Sequence, residues 1–287
     1  MSRDYSKISL TAKLTAYMRQ FTDIPFAKDV ANLIRAKKAF DQLLRDHRIK
    51  PNDLLWYAPI LEARYKSIGE MVHRSGTRQV LEIASGFSMR GLAATNDPQI
   101  TYVETDLDDI TRDKTELIAE ISRTHRLPAH GNLHLAAASA LDLDQLFAAA
   151  EKFQPGEPIA VIQEGLLQYL TSTETETTAT NIRALLERFG GVWITPDFSL
   201  TADAANVSDQ QRQFREIVAD ATDATMYNNA FDNTEHLTSY FARLGFQMEV
   251  YNQLYLITHL ASSDLIHSSQ LDEMRPRLRL WVLRLAR

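Results

Sequence analysis

Hydrophobic positions recur every three to four residues over residues 8 to 48, with Leu14, Tyr17 and Met18 in one group and Val30, Leu33, Ile34, Phe40, Leu43 and Leu44 in the next. That spacing predicts amphipathic helices, each with one apolar face. Pro51 and Asn52 open a further helix carried by Leu54, Ile60, Ile68 and Met71. The pattern then changes to short apolar runs at 80–84, 101–105, 133–137, 159–163 and 191–195, separated by helical stretches at 90–95, 108–124, 143–152 and 173–188. Such alternation predicts an α/β fold, a doubly wound and mostly parallel sheet with helices on both faces. A helix at 234–244 and strands at 246–252 and 278–285 complete the chain. No helical pattern joins the last two strands as a crossover, so they are expected to form an antiparallel edge. The expected organisation is a helical N-terminal cap over residues 1–75, then one sheet domain over 76–287. The polar segment 201–233, rich in Asp, Asn, Ala and Thr, reads as a lid-like insertion.

The most informative stretch is QVLEIASGFSMRGL from Gln79 to Leu92, followed by ITYVETDL ending at Leu107. Glu82 lies inside the first strand, and Ala84, Ser85, Gly86 and Ser88 lack bulk where a backbone must pass close to a ligand. Asp106 closes the next strand, where a carboxylate accepts hydrogen bonds from both hydroxyls of a ribose. A dinucleotide fold wants G-x-G-x-x-G to seat a pyrophosphate on helix amides, and only Gly86 is a glycine here. Pyrophosphate is therefore disfavoured. A strand carboxylate followed by a small-x-Gly-x-small turn fits S-adenosylmethionine, whose amino-acid end carries an ammonium and no phosphate.

In doubly wound sheets ligands bind at the carboxyl ends of the strands. Those ends read Ser85-Gly86, Asp106, Ser139-Ala140 with Asp142 nearby, Gln163-Glu164, and Thr195-Pro196-Asp197. Polar and acidic groups at most of them suit a cationic ligand bearing a ribose and an adenine.

Composition narrows the alternatives. The 287 residues are 45% hydrophobic and 24% charged, as in ordinary globular proteins. Lys plus Arg number 31 against 37 Asp plus Glu, a net charge of −6 without a basic stripe, so nucleic acid is not an expected partner. There is no cysteine, which removes disulfides, thiolate nucleophiles and cysteine metal sites. The eight histidines show no metal-ligand spacing, and no metal is expected. A polar N-terminus and the lack of a long apolar run point to no membrane span and a cytoplasmic location.

EIASGFSMR with YVETDL, then Lys114 and IQEGLLQYL at 162–170, resemble the leucine carboxyl methyltransferase family and its bacterial relatives grouped with polyketide O-methyltransferases. SLTAK at 9–13 and EARYKSI at 62–68 extend the resemblance upstream. It implies a seven-stranded Rossmann-like methyltransferase sheet with S-adenosylmethionine as cofactor and methyl transfer to a carboxylate or hydroxyl of a small molecule. By the same resemblance, Arg64 holds the cofactor's carboxylate, Gly86 lies beside its methionine moiety and Asp106 takes the ribose. Ser139 and Ala140 meet the adenine edge, and Glu164 is the acid ending the fourth strand. Arg90 follows the turn or braces the acidic strand ends, and Lys13 is a further candidate for the carboxylate end. The departures are Ala84 and Ser88 in place of turn glycines and Ser139 where relatives usually carry aspartate. They keep open a non-catalytic protein that retains the methyltransferase fold and binds S-adenosylmethionine or a nucleotide. A hydroxyl acceptor would call for a base, for which Tyr169, Asp197 and His236 are the candidates.

Overall fold

The computed structural model describes residues 8–47, 50–129, 131–205, 209–222 and 230–286. Four helices come first: α1 (Ile8–Arg19), α2 (Ala27–Leu33), α3 (Ala36–His47) and α4 (Tyr57–Ser75). The apolar spacing that predicts them builds a core of their own, in which Met18, Phe40, Leu44, Leu54 and Leu61 are buried. Tyr17 and Phe40 stack at 4.1 Å between ring centroids.

Strand and helix then alternate through β1 (Gln79–Ile83), α5 (Arg90–Ala94), β2 (Thr101–Asp106), α6 (Asp108–His125), β3 (Leu133–Ala137), α7 (Leu143–Ala150), β4 (Ile159–Gln163), α8 (Ser172–Phe189) and β5 (Gly191–Thr195). β1 and β4 are buried along their whole length, as expected of parallel strands covered on both faces. The seven-stranded sheet runs β3-β2-β1-β4-β5-β7-β6. Its switch point lies where β1 pairs in parallel with both β2 and β4. β6 (Phe246–Asn252) and β7 (Arg279–Leu285) form the antiparallel edge that the missing crossover pattern predicts. Trp193 and Trp281 fill the core beside it, with Phe241 and Phe246 edge-on to Trp193.

Within the segment 201–233, the described residues include helices. It carries α9 (Thr201–Ala205) and α10 (Asp209–Thr222) before α11 (Thr234–Arg243). Phe214, Ile217 and Val218 turn one face of α10 into the N-terminal core, with Phe214 edge-on to Trp56. Phe231, near the end of the segment, packs on Phe198 and Tyr240; residues 226–229, which with 230 and 231 mix aromatic and amide groups and read in sequence as part of the acceptor roof, lie outside the described residues. Between the last two strands stand two short helices, α12 (Gln253–Leu256) and α13 (Ser268–Met274), which the sequence pattern does not predict. Among the described residues no helix is long and apolar enough to cross a membrane.

Candidate functional site

A cavity of about 170 Å³ opens at the carboxyl ends of the parallel strands. Its floor is Ala84–Ser88 after β1, Asp106 and Leu107 after β2, Ala138–Leu141 after β3, and Glu164–Leu166 after β4. Its roof comes from the N-terminal helices. Thr11, Ala12, Thr15, Ala16 and Arg19 form one face of α1, and Tyr57, Leu61 and Arg64, at spacings of four and three, form one face of α4.

The turn after β1 is shaped by backbone conformation. Ala84 (φ 54°) and Gly86 (φ 51°) both adopt left-handed geometry. Glycine accepts that conformation freely, whereas alanine is strained in it. The turn is held from both sides: Ser85 N–H donates to the Thr105 carbonyl at 3.0 Å, and Gly86 N–H donates to Asp106 Oδ2 at 2.7 Å. Asp106 Oδ1 accepts the Leu107 N–H at 2.8 Å. Burial pushes the Asp106 pKa above the usual carboxylate value, against the opposing effect of these two amides and Lys114.

Beneath the turn lies a paired-charge layer. Glu82 and Glu104 are register partners on β1 and β2, so two carboxylates lie side by side in a buried place. Each has its own cation. Arg90 Nε stands 3.6 Å from Glu82, which also accepts the Tyr102 hydroxyl at 2.7 Å. Lys114 Nζ stands 2.7 Å from Glu104 and donates to Ser85 Oγ at 2.9 Å. Unpaired, either charge would carry a large desolvation penalty.

The other end of the cavity is a charge cluster on Glu164. Arg19 Nη2 donates to Glu164 Oε1 at 2.8 Å and Arg90 Nη2 to Oε2 at 3.1 Å. Arg90 also donates to the Tyr65 carbonyl at 2.6 Å and lies 4.0 Å over the Tyr65 ring. Burial raises the Glu164 pKa, but Arg19, Arg90 and Arg64 outweigh it and hold the group below the usual carboxylate range.

Arg64, Ala84, Ser85, Gly86, Asp106, Ser139, Ala140, Glu164 and Tyr169 are thus brought to one cavity. Five other candidates are not. Glu82 is buried beneath the turn, and Arg90, also buried, takes the bracing role. Lys13 is not among the residues lining the cavity, to which α1 contributes Thr11, Ala12, Thr15, Ala16 and Arg19. Asp197 is consumed by structure: Oδ1 accepts the Gly165 N–H, and Oδ2 accepts Leu166 N–H, Leu167 N–H and Gln163 Nε2. These bonds shape the loop after β4, while burial raises the Asp197 pKa against them and the charge of Arg64. His236 is exposed on α11, 3.2 Å from Asp232. Asp142, noted beside the β3 end, is the N-cap of α7.

Sequence reasoning missed Arg19, Thr11, Thr15 and Tyr57. The 11, 15, 19 spacing marks one face of a helix, a signal that could have flagged three of them. Among the described residues no group of His, Cys, Asp and Glu is arranged to hold a metal ion.

The model of a family described as leucine carboxyl methyltransferase matches residues 25–183, more than half of the chain. No curated protein sequence matches it. A DUF574 family protein from Streptomyces avermitilis MA-4680 is 14% identical, with 96% of this chain and 97% of that one covered at a TM-score of 0.60. Human N-acetylserotonin methyltransferase, solved in complex with SAM, is 8% identical, with 85% and 62% covered at a TM-score of 0.50. A chain from Nostoc punctiforme PCC 73102, for which O-methyl transfer is a proposed activity, is 15% identical, with 79% and 60% covered at a TM-score of 0.49. The chain therefore spans about three fifths of the last two and nearly all of the first. At their identities the first two show a likeness of fold alone.

Proposed function

The chain belongs to the leucine carboxyl methyltransferase family, whose methyl donor is S-adenosylmethionine, and from that premise we propose that it transfers the donor's methyl group to an oxygen of a small molecule. The residues present fit the donor. Asp106 offers a carboxylate for the ribose hydroxyls, and Ile110, Ala138, Ala140 and Leu141 offer an apolar wall for a purine. Glu164 with Arg64 offers opposite charges to an ammonium and a carboxylate. The sulfonium supplies an activated methyl group, so the protein's task is alignment and exclusion of water. In this reading Gly86 and Ser85 let the backbone approach the amino-acid end, while Ser139 and Ala140 meet the base edge. The roof of α1 and α4 closes over the acceptor, and residues 1–75 act as the cap of the sheet domain.

The observation that carries an oxygen acceptor of acidic character is the composition of the cavity wall. Among the described lining residues there is no histidine and no lysine, and Glu164 is held as an anion by its arginines. An acceptor already ionised, such as a carboxylate, needs no base. For a hydroxyl acceptor, Tyr169, buried in the wall, is the one of the three base candidates that lines the cavity.

Incubating the protein with labelled S-adenosylmethionine and a fractionated extract tests this. Label in a small product released by mild base is expected, because esters are base-labile. A base-stable product would move the acceptor to a hydroxyl. Binding of the donor without transfer to any fraction would favour the non-catalytic alternative.

A further inference from the structure

Glu164 follows β4 at the floor of the cavity, yet its closest arginine comes from the roof. Arg19, the last residue of α1, reaches it across 145 residues of sequence, with side chains 12% and 6% exposed. α1 packs on α2, α3, α4 and α10, all outside the sheet. The Arg19–Glu164 pair therefore joins the roof helix to a strand end. Since both residues line the cavity, any ligand at that end meets the joint itself.

The other charged groups facing Glu164 come from four directions. α5 supplies Arg90 at 3.1 Å, and α4 supplies Arg64, with the Tyr65 ring under Arg90. β1 supplies Glu82 behind Arg90, and the loop after β5 supplies Asp197, which feels the same Arg64 charge. Burial raises the Glu164 pKa, and Arg19 stands first among the charges that reverse this. Arg90 is held from below by Glu82 and the Tyr65 carbonyl, whereas Arg19 reaches Glu164 from the roof helix.

We propose that Arg19 is a positioning residue for the donor: it holds the Glu164 carboxylate as an oriented anion for the donor's ammonium and, through the same bond, seats α1 over the amino-acid end of the cavity. The inference rests on the reading of this cavity as the S-adenosylmethionine site.

The probe is S-adenosylhomocysteine, which has the same amino-acid end. Wild type, Arg19→Met and Arg19→Lys are titrated calorimetrically at about pH 8 and about pH 5.5, to read whether loss of the Arg19 charge, with Arg90 and Arg64 still beside Glu164, lets its carboxylate take up a proton as pH falls. Asp106 titrates alike in all three proteins, so the comparison is of ratios. Methionine keeps the packing and removes the charge; the Met variant should lose about fivefold more affinity than wild type over this drop in pH. The Lys variant should keep the wild-type ratio. Ligand should slow amide exchange in α1 of the wild type and the Lys variant but not of the Met variant. A Met variant weakened by one factor at both pH values would show a merely structural arginine and overturn the proposal. So would a Met variant that follows the wild-type pH profile. A wild type that binds no S-adenosylhomocysteine would refute the donor site itself, and the role of Arg19 with it.

Discussion

Replacing Asp106 by alanine removes the one carboxylate positioned between the β1 turn and the start of α6. Its two oxygens already accept Gly86 N–H at 2.7 Å and Leu107 N–H at 2.8 Å, each oxygen keeping a lone pair for a ribose hydroxyl. Hydrogen bonds to a charged acceptor contribute about 1.5–3 kcal/mol each, so two ribose bonds amount to at least about 3 kcal/mol. At about 1.4 kcal/mol per tenfold, Asp106→Ala should weaken S-adenosylhomocysteine binding on the order of a hundredfold. Part of any loss would come from the turn, because Gly86 in left-handed geometry loses the acceptor that fixes it. Asp106→Asn separates the two contributions: it keeps the shape and one acceptor oxygen, and should lose about tenfold. The acid limb follows from the raised pKa of Asp106. The ionised form is the ribose acceptor, so wild-type affinity should be full at neutral pH and decline as pH falls through that raised value. Calorimetry on proteins shown by circular dichroism to be folded is the assay. An Asp106→Ala protein that binds within about threefold of wild type would refute the ribose assignment, since even one charge-assisted bond exceeds that.

Arg64→Ala should weaken the same ligand about tenfold or more through loss of a guanidinium–carboxylate contact, and unchanged affinity would remove Arg64 from the site. Ala84→Gly should stabilise the fold by roughly 0.5–1 kcal/mol in denaturant unfolding, because relief of left-handed strain of about 1–2 kcal/mol exceeds the added entropy of the unfolded chain. Destabilisation instead would mean that the alanine methyl packs usefully. Gly91→Ala places a Cβ 2.6 Å from Glu104 Oε1 and 2.8 Å from Leu133 and Tyr102 side chains, so a cost of about 1–3 kcal/mol should appear as a lower melting temperature. A melting temperature equal to wild type would show that the Glu104 side chain moves freely.

The sheet was legible because its strands announce themselves locally. Ile159–Gln163, Gly191–Thr195 and Phe246–Asn252 form over the residues their apolar runs predict. α10 escaped notice because Phe214, Ile217 and Val218 are set among Gln, Arg, Glu and Asp, and the partner that makes them a face, Trp56, lies far away in sequence. The same division holds at the cavity. Gly86, Asp106 and Glu164 sit at strand ends, where parallel topology brings them together, so sequence order suffices to group them. Arg19 cannot be grouped that way, because its meeting with Glu164 depends on how the cap helices dock. The bonds of Asp197 were hidden for a related reason: a strand-end acid reads as a catalytic candidate, and only the folded loop shows it accepting the backbone amides of 165–167.

The central claim is that the cavity along Ser85, Asp106 and Glu164 holds S-adenosylmethionine. Titrating the wild-type protein with S-adenosylmethionine and S-adenosylhomocysteine by calorimetry, with thermal melts alongside, tests it most directly. Saturable one-site binding of both ligands and a melting temperature that rises with ligand concentration are the expected results. Neither heat nor thermal shift at about millimolar ligand, a Kd weaker than roughly −4 kcal/mol of binding free energy, would contradict it.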